Sequence, residues 1–359
     1  MRFAAILVRL SFVFAVFVSV AGCLNTTGRL PLESLPDQPI AFLHWSEKDG
    51  QRRAEIFGKM GEAPPIPPDN DDPERLEEMQ VRAYLRGDVI LQVRQKLEEY
   101  PGRLMLLWPR TGVMERIEAA PVDAMPLAWS PDRSRLLLVS AHRGGKEQLY
   151  EYYLERQELI PVTRGPAEHA RGAYDADGNL YVQRIQRVRR DGASAQTVHR
   201  VERGGSLSAA LATGIPPGTL RVLPSGDRIV YEQIVPRPRR NGPTVYESFV
   251  AIQTLRGKND EKLLLKGREP IMTEDGQWIV FASQSTAGYR LRRMRTDGTS
   301  RVPMGPGGTE ERMPTVSPGG QYVVFTKLEY GRRRLAVRRY DGKDERVLLA
   351  SGWSEFPVW

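Results

Sequence analysis

The chain is poor in the residues that most often build catalytic and metal sites. Its 359 residues include one cysteine and four histidines. A single cysteine excludes an intramolecular disulfide and any metal site built from several thiolates. The histidines are isolated from one another, and neither a His-Glu-x-x-His pattern nor a Gly-x-Ser-x-Gly nucleophile elbow occurs. The sequence therefore predicts no catalytic constellation, no metal site and no cofactor.

The N-terminal segment has the form of an export signal. Arg2 and Arg9 precede an apolar run from Leu10 to Val20. The run has the length of a secretory signal and is too short for a membrane span. The run leads into Val20-Ala21-Gly22-Cys23, which resembles the cleavage site of bacterial lipoproteins. This resemblance implies that residues 1–22 are a signal peptide and that Cys23 becomes the lipidated N-terminus.

The residues after the cysteine suggest a location. Leu24, rather than Asp, follows Cys23, and the lipoprotein resemblance then implies the outer membrane, facing the periplasm. Residues 23–36 contain Asn, Thr, Gly and Pro and are predicted to be a short lipid-anchored tether. Residues 37–359 are predicted to form one all-β domain.

A recurring phrase of turn residues predicts the architecture of that domain. Each copy, such as Ser130-Pro131-Asp132 or Ser317-Pro318-Gly319, precedes an apolar burst such as Leu136-Leu137-Leu138-Val139. The aligned turn positions lie 44 to 50 residues apart, at 133, 178, 226, 276 and 320. A period in the mid-forties with several short strands per unit is the signature of a β-propeller of four-stranded antiparallel blades.

The two ends of the chain complement each other. Glu355–Trp359 matches the first strand of a unit, and Ile40–Leu43 matches a second strand without a first. We expect the C-terminal strand to join the N-terminal blade and close the ring, because closure removes exposed sheet edges. This composite unit and units beginning near 87, 133, 178, 226, 276 and 320 make seven blades. Six blades is the alternative, because the composite unit is irregular.

The copy Trp129-Ser130-Pro131-Asp132 resembles the blade motif of TolB-like propellers, and the resemblance extends over most of residues 37–359. It implies the fold and says little about function, because these motif residues build turns. Asp175-Ala176-Asp177-Gly178 lies at the same turn and lacks the spacing of a calcium loop.

Basic residues recur between the second and third strands of the predicted blades, and these loops share one face of a propeller. The candidate partner-binding residues are Arg52, Arg53, Arg143, Arg189, Arg190, Arg237, Arg239, Arg240, Arg332, Arg333 and Arg334. A ring of cations would attract an acidic partner. The alternative is that hairpin loops are polar in general and that this chain is rich in arginine.

Two functions compete at this point. The favoured one is a monomeric, non-enzymatic binding scaffold for an envelope protein or an anionic envelope polymer. The alternative is a glycan lyase or hydrolase with its site in the central channel, where the predicted inner strands offer few acids beyond Asp175 and Glu274. Nucleic-acid binding conflicts with the export signal, and removal of the signal peptide with Arg2 and Arg9 lowers the net charge from +8 to 50 minus 44, or +6, which is mild for that function.

Overall fold

The computed structural model describes residues 30–61, 100–187, 194–202, 205–216, 218–239, 242–256, 260–285 and 288–359. The predicted signal peptide and Cys23 lie outside these ranges. The strands within them form six four-stranded antiparallel sheets, and each sheet is one blade of a propeller.

The strands follow the chain blade by blade. Blade 1 contains β1 (Ile40–Trp45), β2 (Arg103–Leu107) and β3 (Met114–Arg116). Blade 2 contains β4 (Met125–Trp129), β5 (Arg135–Ser140), β6 (Gln148–Tyr153) and β7 (Glu158–Pro161). Blade 3 contains β8 (Glu168–Tyr174), β9 (Leu180–Arg187), β10 (Ser194–Arg200) and β11 (Ala212–Thr213).

The remaining blades repeat this order. Blade 4 contains β12 (Leu220–Val222), β13 (Arg228–Arg239), β14 (Gly242–Thr254) and β15 (Lys262–Lys266). Blade 5 contains β16 (Arg268–Met272), β17 (Trp278–Ser285), β18 (Gly288–Arg295) and β19 (Val302–Pro303). Blade 6 contains β20 (Glu310–Val316), β21 (Tyr322–Glu329), β22 (Arg332–Arg339) and β23 (Glu345–Leu349).

The recurring phrase forms the turn between the first and second strands of a blade. In blade 2, the Ser130 hydroxyl donates to Asp132 Oδ1 at 2.5 Å, and the Ser134 amide donates to the same oxygen at 3.2 Å. The next apolar burst is the second strand, in which Leu136, Leu137 and Leu138 are fully buried. A continuous apolar run suits a strand that packs between two neighbouring blades.

The chain closes its own ring, as predicted. The last strand, β24 (Trp353–Val358), pairs antiparallel with β1. β24 is therefore the first strand of blade 1. The first strands of neighbouring blades contact one another around the ring, in the order β4, β8, β12, β16, β20, β24 and again β4. The Trp359 amide donates to Thr315 Oγ1 at 3.0 Å, and its indole donates to the Gln38 carbonyl at 3.0 Å. The C-terminal residue thus joins blade 1 to blade 6.

The expectation of seven blades is wrong, since the described residues form six. β2 and β3, which would serve a unit beginning near Gly87, pair instead with β1 and complete the composite blade. The segment from Ser46 to Gly102 is inserted between β1 and β2 and is somewhat longer than one blade period. This length explains why the spacing suggested an extra blade. Gly87 itself lies outside the described residues.

The inserted segment begins with helix α1 (Glu47–Gly61), where the sequence predicted a loop. Ser46 caps the helix, because its hydroxyl accepts the Asp49 amide at 3.2 Å and donates to Asp49 Oδ2 at 2.7 Å. Gly50 faces Trp353, where an added Cβ would lie 2.8 Å from the Trp353 Cβ atom. Within the described residues, no helix is long and apolar enough to cross a membrane.

The described part of the predicted tether, residues 30–36, lies against the propeller. It contains a short 3-10 helix, Leu32–Ser34, whose flanking residues Leu30 and Leu35 are buried beside blades 1 and 6. Arg346 Nη1 donates to the Leu30 carbonyl at 2.8 Å, and the Tyr322 hydroxyl donates to the Ser34 carbonyl at 3.0 Å. These contacts fix residues 30–36 against blades 1 and 6.

Candidate functional site

The first strands of the blades surround a central channel with two mouths. We call one end the turn face, because it carries the turns between first and second strands. The other end is the loop face, which carries the connections between second and third strands and between blades. A cavity of about 350 Å³ opens toward the turn face, and one of about 170 Å³ opens toward the loop face. Both cavities are lined by Leu127, Arg221 and Val358, which form the waist of the channel.

An ion pair spans the turn-face mouth. Arg133 of blade 2 pairs with Glu274 of blade 5, which is the opposite blade in the ring. The Gly319 amide of blade 6 donates to the second oxygen of Glu274 at 3.0 Å. Glu274, which the sequence singled out as a channel acid, is therefore held by a cation and a backbone amide.

Arg133 occupies the position that glycine holds in the other repeats. Its φ is 60°, close to the 69° of Gly226 and the 67° of Gly276. A residue with a Cβ atom pays roughly 1–2 kcal/mol in this conformation. Arg133 supplies the guanidinium group of the ion pair across the mouth, and a glycine at this turn has no side chain to form that pair.

The other acid predicted for the channel, Asp175, accepts hydrogen bonds from the turn in which it lies. Its Oδ1 accepts the Asp177 and Asn179 amides at 3.1 and 2.9 Å. Its Oδ2 accepts the Asn179 side-chain amide at 2.8 Å and the Tyr181 hydroxyl at 3.2 Å. The described residues contain no group of three His, Cys, Asp or Glu side chains that could hold a metal ion.

The loop-face mouth is shaped by irregular first strands. Register shifts interrupt the pairing of first and second strands in blades 1, 2, 3, 5 and 6. Three non-glycine residues at this mouth have positive φ: Glu269 at 55°, Met313 at 54° and Phe356 at 54°. Bulges re-aim side chains, and strained backbone clusters at functional sites. This mouth therefore has the backbone features of a binding site.

The two acids at the loop-face mouth are already engaged. Glu232 accepts Arg268 Nε at 3.0 Å and the Glu269 amide at 3.1 Å. Glu269 accepts Arg312 Nε at 3.1 Å and the Met313 amide at 2.7 Å. These contacts hold one bulge against the next and leave neither carboxylate available as a free acid or base.

Two arginines of the channel wall were not predicted from the sequence. Arg171 on β8 and Arg221 on β12 both line the loop-face cavity. Burial, followed by the positive charge of Arg171, lowers the pKa of Arg221 from 12.5 to about 10. Burial also lowers the pKa of Arg171. The available sequence signal was an arginine set between Leu220 and Val222 inside an apolar first strand.

The arginines predicted as a partner-binding face are spread over blades 1, 2, 4 and 6, and many have acidic partners within the chain. Their ion pairs are Arg52–Glu55 at 3.0 Å, Arg332–Glu47 at 2.9 Å, Arg334–Glu329 at 3.4 Å, Arg237–Glu247 at 3.5 Å and Arg333–Glu355 at 2.5 Å. Arg52 and Arg53 lie on α1, and Arg53 stacks on Trp45 at 4.3 Å. The structure thus pairs several of these cations with carboxylates of the chain itself, either within a blade, as for Arg334, or across to a neighbouring element, as for Arg332 and Arg333.

The remaining members of the predicted face divide into two groups. Arg143 is exposed in the connection between β5 and β6. Arg239 ends β13, and its side chain lies outside the described residues, as do Arg189, Arg190 and Arg240.

Comparisons with known proteins identify the fold. No protein-family model matches the sequence, and no curated protein is similar to it. TolB from Acinetobacter baumannii matches with a TM-score of 0.54 at 17% identity, covering 78% of this chain and 72% of that chain. A putative TolB from Agrobacterium tumefaciens matches with a TM-score of 0.53 at 22% identity, covering 69% and 87%.

A third solved structure shares the architecture. Hydrazine synthase from Kuenenia stuttgartiensis matches with a TM-score of 0.55 at 11% identity, covering 90% of this chain and 46% of that chain. Such likenesses show a shared fold and not a shared activity. They confirm that the chain has the β-propeller fold of TolB-like proteins, as the blade motif indicated.

Proposed function

We propose that this chain is a non-enzymatic binding scaffold of the bacterial envelope, anchored through a lipid on Cys23 to the outer membrane and facing the periplasm. Its loop face binds an acidic partner, either an envelope protein or an anionic envelope polymer. The fold supports this proposal, because a propeller presents many loops on one rigid face. The lipoprotein-like sequence at Val20–Cys23 supports the anchor.

The observation that carries the proposal is the state of the channel carboxylates. Glu274, Glu232 and Glu269 are each held by an arginine and a backbone amide, and Asp175 accepts four hydrogen bonds from its turn. Glycan hydrolysis needs two carboxyl groups with different protonation states facing the substrate. Side chains engaged in this way support binding rather than acid–base chemistry.

The longest hairpin of the propeller gives the loop face a projecting contact. β13 and β14 pair from Arg228–Thr254 to Arg239–Gly242, which extends beyond the second strands of the other blades. Near its tip Arg237 and Lys266 share one carboxylate, Glu247, at 3.5 and 2.5 Å. Two cations on one acid leave a positive surplus, which favours an acidic partner.

The loop face is tested by charge reversal. We expect an Arg143→Glu, Arg237→Glu double variant to bind isolated peptidoglycan sacculi or lipopolysaccharide about 10-fold more weakly than the native protein in co-sedimentation. We also expect a weaker salt dependence, because exposed charges act mainly through long-range attraction. In cross-linked cells, the same variant should lose cross-links to an acidic envelope protein.

The chain offers a matched control on the turn face. The side chain of Arg156 is 55% exposed and lies 3.6 Å from Glu158, while that of Arg237 is 54% exposed and lies 3.5 Å from Glu247. Each also stacks on an aromatic ring, Tyr153 or Phe249. The single variant Arg237→Glu should weaken binding, whereas Arg156→Glu, which makes the same change in charge, should leave binding unchanged. Equal losses in both variants, or no loss in the loop-face variant, would contradict the proposed face.

The anchor is tested separately by labelling cells with a radioactive fatty acid. The native protein should incorporate label and fractionate with the outer membrane. A Cys23→Ser variant should incorporate none and appear in the soluble periplasmic fraction. Label retained by this variant would refute the lipid anchor without affecting the proposal for the loop face.

A further inference from the structure

The waist of the channel holds a cation, Arg221, for which the described part of the chain supplies no acidic partner. Arg221 lines both cavities, and its Nη1 donates to the carbonyl of its neighbour Leu220 at 2.8 Å. Its Nε is buried without a hydrogen-bond partner. Among the described residues, no carboxylate forms an ion pair with Arg221. Arg221 as a whole is half-buried, and a buried donor left without a hydrogen bond costs about 1–3 kcal/mol, so a group that accepts from this guanidinium would be favoured.

A second cation lies beside it. Arg171 has one acidic contact, Glu147 at 4.0 Å, and its Nη1 donates to the adjacent Ala170 carbonyl at 2.5 Å. Arg171 and Arg221 line the same cavity, and the positive charge of Arg171 adds to the effect of burial in lowering the pKa of Arg221. Two like charges enclosed in one channel repel each other. An anion between them would satisfy both guanidinium groups.

The nearby acids do not provide this compensation. Glu232 and Glu269, which line the same cavity, are engaged by Arg268 and Arg312. These two pairs are locally neutral. The positive charge that remains at the loop-face end of the channel is therefore mainly that of Arg221, and Arg171 adds to it because its pair with Glu147 is long, at 4.0 Å.

The rest of the cavity wall is mostly apolar. Side chains of Met, Pro, Leu, Phe and Val, among them Leu127, Phe356 and Val358, form most of it. The volume of about 170 Å³ corresponds to roughly five to six water molecules in the liquid. A small ligand with a short apolar body and one anionic end fits both the size and the chemistry of this cavity.

We propose that Arg171 and Arg221 form an anion-binding site for the carboxylate of a short aliphatic acid or of a peptide C-terminus that enters from the loop face. A guanidinium group presents a planar fork of donors that matches a carboxylate. The apolar wall then contacts the aliphatic part. This site is separate from the surface contact proposed above and does not depend on it.

Isothermal titration calorimetry on the purified protein with Cys23→Ser, in a buffer free of carboxylate and phosphate, tests the proposal. The probes are butyrate and a tripeptide, Gly-Ala-Val, with either a free or an amidated C-terminus. We expect butyrate or the free tripeptide to bind, and the amidated tripeptide not to bind. Butyrate alone would identify a small free acid as the ligand, and the free tripeptide would identify a chain terminus.

Substitutions assign the site to the two arginines. Arg171→Met and Arg221→Met should each weaken carboxylate binding by about 10-fold or more, and Arg221→Lys should give an intermediate loss. Arg156→Met on the turn face should leave the affinity unchanged. Binding of the amidated tripeptide as strongly as the free one would overturn the proposal, as would absence of carboxylate binding or unchanged affinity in both Met variants.

A stability measurement separates this role from a structural one. Arg221→Met removes an unpaired cation, so the ligand-free variant should melt at the same temperature as the native protein or higher. Butyrate should raise the melting temperature of the native protein and not that of the variant. A variant that melts lower and still gains stability from butyrate would show that Arg221 supports the fold only. Sacculus binding should persist in Arg221→Met, which distinguishes failure here from failure of the loop-face proposal.

Discussion

Arg338 is the position at which a single substitution should destabilise the propeller most. Its side chain is 3% exposed and pairs with Glu311, which is 2% exposed, and with Glu345. It also donates to the Met304 carbonyl and lies over the Phe325 ring at 4.7 Å. Arg338 therefore ties β22 to the connection after β19 and to β20.

The expected loss in the free energy of unfolding follows from the two carboxylates that lose a partner in Arg338→Met. Glu345 keeps Lys327 at 2.7 Å, whereas Glu311 keeps only the Leu291 amide at 3.1 Å and becomes a buried, unneutralised carboxylate. Breaking a buried pair in this way costs about 3–5 kcal/mol. For a propeller of this size the entropy of unfolding is about 0.7 kcal/mol/K, so we expect the melting temperature to fall by roughly 4–7 °C.

Differential scanning calorimetry of four proteins measures this effect. The Arg338→Met, Glu311→Gln double variant should recover most of the loss, because the buried charge is removed and an amide oxygen can still accept the Leu291 amide. Arg339→Met is the control. That side chain is 52% exposed and 3.8 Å from Asp341, so its loss should cost less than about 0.5 kcal/mol. A double variant no more stable than Arg338→Met would refute the reasoning.

Two further predictions concern pH and the turn-face mouth. Burial, followed by the charges of Arg184 and His199, lowers the pKa of His169 from 6.5 to about 4. Below pH 6.5 the unfolded chain therefore gains a proton that the folded chain does not, and up to about 3 kcal/mol of stability is lost between pH 6.5 and pH 4. Urea unfolding should show a smaller loss over this interval for His169→Gln, and parallel curves would contradict the assignment. Arg133→Gly should change the free energy of unfolding by less than about 1 kcal/mol, because the relieved backbone strain offsets the loss of a partly exposed ion pair. The same variant should open the mouth beside Trp129 and so increase acrylamide quenching of tryptophan fluorescence. Unchanged quenching would show that the ion pair does not restrict access.

Local chemistry made much of the fold predictable. The aligned turn positions at 178, 226, 276 and 320 are glycines with φ between 67° and 80°, and Arg133 adopts the same conformation at 60°. Each turn must reverse the chain over a few residues, so its composition is visible in the sequence. The closure of the ring was predictable for a similar reason. The C-terminal segment is a first strand that lacks the rest of a blade, and the N-terminal segment lacks a first strand, so pairing of the two completes one four-stranded sheet.

The number of blades was not predictable from spacing. The insertion between β1 and β2 is somewhat longer than one blade period, and the turn-like residues from Gly87 to Leu91 fall where a new unit would begin. Whether such a segment forms a blade depends on which strand β2 pairs with. The pairing of β2 depends on long-range contacts, because β2 pairs with β1 in the sheet that also contains β24.

The sequence by itself determined the all-β repeat, the closure of the ring by its last strand and the assignment of each loop to a face. It also showed which side chains are charged, but not which charges are neutralised. Only the tertiary structure decided that Arg333 faces Glu355, that Glu274 is held by Arg133 from the opposite blade, and that Arg221 has no carboxylate partner in the described channel. The physical reason is that turns depend on neighbouring residues, whereas an ion pair depends on distances between blades that are far apart in the chain.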